Sequence, residues 1–112
     1  MEGQQAVQIA LSNTETIPGR TITQSLGVVT GSTVRAKHIG KDILAGFKNI
    51  VGGELKGYTE LLTEARNQAL QRLVADAAGR GANGVVNVRF ATSAVAGGAA
   101  ELFAYGTAVI LQ

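Results

Sequence analysis

The amino-acid sequence predicts an α+β fold, an antiparallel β-sheet packed against one long and one short helix. Three observations predict it. Between Glu54 and Ala78, apolar residues fall at Tyr58, Leu61, Leu62, Ala65, Ala69, Leu73 and Ala77, the repeat of one helical face. Around that stretch lie three segments whose residues alternate with period two, near 20–34, 85–91 and 101–111. Glycine pairs and the single proline, Pro18, punctuate the chain between them.

The long helix is the organising element. Glu60, Glu64, Arg66, Asn67, Gln71, Arg72 and Asp76 fill much of its remaining surface. Alanine at successive turns of the apolar face leaves little side-chain bulk, so the helix is expected to lie close against the sheet. Before it, Ile43, Leu44, Phe47, Ile50 and Val51 repeat at helical spacing, which predicts a short amphipathic helix over 41–51. Gly52 and Gly53 stop that helix and force a tight corner into the next one.

The strands follow in order. Val7, Ile9 and Leu11 alternate against Gln8 and Ala10, a candidate first strand that ends in the turn residues Ser12, Asn13, Pro18 and Gly19. From Arg20 to Val34, Ile22, Leu26 and Val28 fall on one face and Gly27 and Val29 on the other. Gly27 and Gly31 bracket Val-Val-Thr, and glycine inside a strand marks a bulge or the close approach of another backbone. In Val85–Ala91, Val86, Val88 and Phe90 oppose Asn87 and Arg89, and a turn is expected at Gly97-Gly98. Glu101–Leu111 is apolar on both sides, with Leu102, Ala104, Ala108 and Ile110 opposite Phe103, Tyr105, Val109 and Leu111. Such a strand is expected to be covered on both faces. The long helix supplies one cover, and a neighbouring copy most easily supplies the other.

Composition bounds the function. The 112 residues fit a single domain spanning 1–112. Charged residues are 16 % of the chain, against roughly 25 % in an average soluble domain, which points to surface shared with another subunit. Cysteine is absent, which excludes disulfides, thiolate chemistry and Cys-ligated metal sites. The net charge is +2 and the pI 9.3. Arg35, Lys37, Lys41, Lys48 and Lys56 cluster in one stretch, but only Phe47 and Tyr58 lie nearby as stacking platforms, so a solvated face is favoured over nucleic-acid binding. Neither a signal peptide nor a membrane-length apolar run is apparent, and the chain is expected to be cytoplasmic, without a membrane partner.

Five pieces of sequence carry a resemblance. They are GVVTGSTVRA at 27–36, GKDILAGFKNIVGG at 40–53, Tyr58, Leu62-x-x-Ala65-Arg66-x-x-Ala69, and RGANGVVNV at 80–88. In this order and spacing they resemble the YbjQ family of small bacterial proteins, described as heavy-metal-binding, over residues 20–111. The resemblance implies a dodecin-like two-layer subunit assembled into a ring-shaped oligomer, a homopentamer. It implies no established biochemical function, no enzyme activity and no particular cofactor.

The candidate sites are few. Soft metals favour thiolate, thioether and imidazole ligands. The chain offers Met1 and His38 alone, so a metal-binding ring would need His38 from each subunit at the axis, or carboxylates. Glu60 and Glu64 stand one turn apart and form either a hard-cation pair or, the favoured reading, a solvated helix surface. No nucleophile–base set can be assembled around the single histidine. The corner Gly52-Gly53 at the start of the long helix is either a plain pivot or an anion trap assisted by Lys48 and Lys56. Asp42 near the start of the short helix is either a helix-dipole partner or a pair for Arg66, and Tyr58 is expected to be a core residue whose hydroxyl reaches a partner at the edge. Asp42, Lys48, Gly52, Gly53, Tyr58 and Arg66 are therefore the candidate ligand-binding residues of a homo-oligomer that takes a small anionic ligand between subunits.

Overall fold

The computed structural model describes residues 8–35, 56–94 and 100–112, with backbone alone at 34, 35, 56–58 and 61. The expected short helix at 41–51 and the expected turn at Gly97-Gly98 lie outside the described residues. Four strands, β1 (Ala10–Leu11), β2 (Ile22–Arg35), β3 (Gly84–Ala94) and β4 (Ala100–Leu111), form one sheet in the order β1-β3-β4-β2. One helix, α1 (Lys56–Gly79), packs on it.

The helix ends one residue later than its periodicity predicts, and the predicted start at Glu54 lies outside the described residues. Of its apolar positions, Ala65, Ala69, Leu73 and Ala77 are buried, a single ridge at intervals of four, while Leu62 stays exposed. Leu73 is the one large side chain on that ridge. The close approach expected from the alanines is realised at Gly31. A Cβ built there would collide with the Ala69 carbonyl oxygen and the Leu73 nitrogen, and would lie 2.8 Å from the Arg72 carbonyl carbon. The helix backbone therefore rests on the β2 backbone, and only glycine leaves it room. Val29, Val85, Ala104 and Ala108 complete the core beneath the helix.

The sheet is mixed, which corrects the all-antiparallel expectation. β2–β4 and β3–β4 are antiparallel, but Ala10↔Gly84 and Leu11↔Val85 pair in parallel. A hairpin constrains its strands to run antiparallel, whereas β1 reaches β3 only after β2 and α1 have intervened, a connection long enough for parallel pairing. Backbone bonds from Ala10 N to Asn83 O and from Ser12 N to Val85 O fix it, both 3.0 Å.

Two bulges overturn the face assignments drawn from simple alternation. In β2 the register shifts between Ser25 and Gly27, where Gly27 adopts φ +95°. Leu26 consequently packs toward the core with Val29, while Val28 points away and is 63 % exposed. In β3 the shift falls between Val86 and Arg89, with Asn87 at φ 55°. Val86 thus lies on the face away from the helix, with Val109 and Leu111, whereas Val88 packs on the helix side. Asparagine tolerates this left-handed conformation better than most residues, so the bulge is encoded locally.

Asn83 closes the lower end of the sheet. Its Nδ2 donates to Leu111 O at 2.9 Å, and its Oδ1 accepts from Leu111 N at 2.6 Å. The side-chain amide thereby extends the β4 ladder by one rung. Asn83→Ala is expected to cost about 2 kcal/mol by orphaning two half-buried backbone groups. Asn83→Asp should cost at least as much, because its second oxygen would face the Leu111 carbonyl. Gly31→Ala is expected to lower stability by roughly 3 kcal/mol, the upper range of overpacking, because the colliding atoms are helix backbone. Gly79→Ala, where a Cβ meets nothing within 4 Å, should stabilise by about 0.5 kcal/mol. Urea midpoints of the four variants check this ranking.

Candidate functional site

Pairing fixes which side chains share the face away from α1. Val28↔Thr107, Thr30↔Tyr105 and Ser32↔Phe103 link β2 to β4, and Arg89↔Tyr105, Ala91↔Phe103 and Ser93↔Glu101 link β3 to β4. The lower part of this face is covered by the chain's own N-terminal segment. Ile17 and Ala10 pack over Val86, Val109 and Leu111. That segment is held by the β3 bulge, where Asn87 N donates to Thr14 O and Val88 N to Ser12 O, and by Arg89 Nη1 donating to Asn13 O at 2.6 Å.

The upper part has no such cover among the described residues. Phe103 and Tyr105 stack with ring centroids 5.7 Å apart, and Tyr105 and Val28 are exposed beside them. Ser93 Oγ and Glu101 Oε1, 3.2 Å apart, border this patch, and Arg89 stands opposite Tyr105 in the pairing. An apolar patch with a polar border is the anatomy of a contact surface rather than of a catalytic pocket.

The outer edge of β2 is occupied from within. Arg72 Nη1 donates to Ser32 O, Thr30 N donates to Asp76 Oδ2 at 3.1 Å, and Arg80 Nη1 donates to Leu26 O at 3.2 Å. Asp76 Oδ1 lies 3.4 Å from Arg80 Nε. Three side chains spaced four residues apart, two on α1 and Arg80 just past its end, thus claim three of the backbone groups that β4 leaves unpaired. From the sequence, Arg72 and Asp76 fall on the remaining surface of the helix, and Arg80 has no role there. Their spacing of four was visible, but their target on the strand edge was not.

Among the predicted ligand residues, Asp42, Lys48, Gly52 and Gly53 lie outside the described residues. Tyr58 stands in the first turn of α1. Arg66 lies eight residues on, about 12 Å along the axis, exposed, with Nη2 donating to Thr63 Oγ1 at 3.3 Å. Among the described residues Arg66 meets no carboxylate. Glu60 and Glu64 border a shallow open depression with Thr63, Asn67 and Gln71 on the solvent side of α1. That placement agrees with the solvated-surface reading.

The family described as "Putative heavy-metal-binding", YbjQ, matches residues 9–112. The chain belongs to this family. A UPF0145 protein of Hahella chejuensis is 65 % identical over 102 residues, 91 % of this chain and 98 % of that protein. Another, of Archaeoglobus fulgidus, is 60 % identical over 105 residues, 94 % and 97 % of the two chains. A solved structure from Pediococcus pentosaceus, described as a protein with unknown function of the DUF74 family, superposes with TM-score 0.60 at 15 % identity. It covers 93 % of this chain and 98 % of its own, and shows a shared fold.

The heavy-metal description of the YbjQ family does not fit the donors of this chain. It has no cysteine, one histidine and one methionine. Among the described residues no three of His, Cys, Asp or Glu come together. Asp76, the carboxylate nearest the sheet edge, is already engaged by Thr30 and Arg80. Asp76→Ala is expected to accelerate exchange of the Thr30 amide about tenfold, the scale of a hydrogen bond to a charged group. Amide exchange followed by NMR reads it directly.

Proposed function

We propose that this YbjQ-family protein is a non-enzymatic homo-oligomer, a ring of copies that holds a small anionic ligand between subunits. The observation that carries the self-association is the patch on the sheet face away from α1, uncovered among the described residues, where Val28, Phe103 and Tyr105 gather. Low charge density supports it, since 16 % charged residues leave much of the surface apolar. The homopentamer is the ring size that the family resemblance implies. The anionic ligand rests on the cationic and glycine residues of the 40–58 corner, Lys48, Gly52 and Gly53, with Asp42, Tyr58 and Arg66. Arg66, exposed and without a described carboxylate, favours an anion.

Sedimentation at micromolar concentration is expected to show an assembly rather than a monomer. Val28→Glu should dissociate it while leaving the subunit folded, because Val28 contributes little to the core of one copy. A compact wild-type monomer would remove the proposal. Native mass spectrometry of freshly purified protein is expected to show a retained organic mass, reduced in Arg66→Ala. Metal analysis should find no stoichiometric heavy metal, in the wild type or in His38→Ala. Stoichiometric metal lost in His38→Ala would favour a metal-binding ring instead.

A further inference from the structure

The two long edges of the sheet are treated differently, and the difference identifies where a second copy attaches. Thr30 N donates outward to Asp76, so the backbone of Thr30 points away from β4. Alternation along an antiparallel pair then turns Gly31 toward β4 and fixes Tyr105, opposite Thr30, with its backbone toward β3. Tyr105↔Arg89, Phe103↔Ala91 and Glu101↔Ser93 are therefore the hydrogen-bonded pairs of β3 and β4. It follows that the N–H and C=O groups of Phe90, Thr92 and Ala94 point outward. β1 covers β3 only at Gly84 and Val85, and the N-terminal segment bonds Asn87 and Val88. Beyond Val88, no backbone group of the described residues meets this edge.

We infer that the outer edge of β3 from Phe90 to Ala94 is a strand-addition site for a second copy of this chain. An unpaired edge is a template for another strand, and proteins that keep one unused blunt it with lysine, proline, a bulge or a covering element. β2 is blunted in this way by Arg72, Asp76 and Arg80. Among the described residues the β3 edge has none of these devices over Phe90–Ala94, its sequence Phe-Ala-Thr-Ser-Ala is uncharged, and Phe90 beside it is 42 % exposed. A copy of the same chain suits this edge because the uncovered Phe103–Tyr105 patch lies only one strand away. A body paired to β3 stands next to that patch and can cover it. The pairing segment is not the 26–32 stretch of β2 in a second copy, where Arg72, Asp76 and Arg80 occupy Ser32 O, Thr30 N and Leu26 O. The inference rests on the self-association proposed above and names its contact.

Thr92→Pro tests it. The Thr92 N–H faces outward, so proline there removes no bond to β4 and is tolerated at an edge. The variant is expected to keep its circular dichroism and to sediment as a monomer, where the wild type sediments as an assembly. Ala91→Pro, which removes a bond to β4, should lose the fold and serves as control. In the assembled wild type the amides of Phe90, Thr92 and Ala94 should exchange at least tenfold more slowly than in dissociated protein. This measurement decides the question even if Thr92→Pro fails to fold. An unchanged assembly in folded Thr92→Pro overturns the β3 contact and leaves self-association standing. So does free exchange of these amides in the assembled wild type, or their protection in dissociated protein. A monomeric wild type overturns both.

Discussion

The subunit depends on one contact, the helix backbone laid directly on the β2 backbone at Gly31. Three of the four residues on the buried ridge are alanines, so side-chain area alone gives α1 a modest hold. A fully buried leucine contributes about 1.5–3 kcal/mol and each alanine much less. The missing side-chain volume is replaced by dispersion between backbones at van der Waals distance, which a single added methyl would destroy. Ala69 and Leu73, one turn apart, straddle the position where a Cβ at residue 31 would stand.

That closeness has a second effect. A helix held so near the sheet brings its flanking side chains level with the strand edge. Arg72, Asp76 and Arg80 lie one turn apart beside the ridge and reach Ser32, Thr30 and Leu26. These are exposed bonds, each of modest energy. Their collective effect is to satisfy edge groups that would otherwise invite another strand. Packing and edge protection on β2 thus share one cause. On the far side of the sheet nothing comparable occurs, and β3 is open over Phe90–Ala94, among the described residues.

The bulges distribute the remaining surface. By turning Leu26 inward and Val28 outward, the β2 bulge sends one apolar side chain to the core and one to the open patch. The β3 bulge turns Val88 to the helix side and leaves Val86 buried on the far face, and it also presents two amides that anchor the N-terminal segment over the lower half of that face. Ile17 fills that half. The upper half, with its aromatic pair, has no cover among the described residues.

The sequence by itself determined the long helix, the three long strands, the small-residue face that predicts close packing, and the two-sided apolar character of β4. These are local properties, set by the period of apolar residues and by the volume of alanine and glycine. It also carried the family, through ordered short motifs. Period alone could not locate the bulges, because one inserted residue reverses every face beyond it, and Ile22, Leu26 and Val28 were grouped together for that reason. Nor could it find Asn83 clasping Leu111, or Asp76 reaching Thr30. Such contacts join residues 28 and 46 positions apart, and only the folded chain brings them within hydrogen-bond distance. The parallel β1–β3 pair and the unequal edges belong to the same class. Which backbone groups remain unpaired is a property of the whole sheet, and tertiary structure alone decides it.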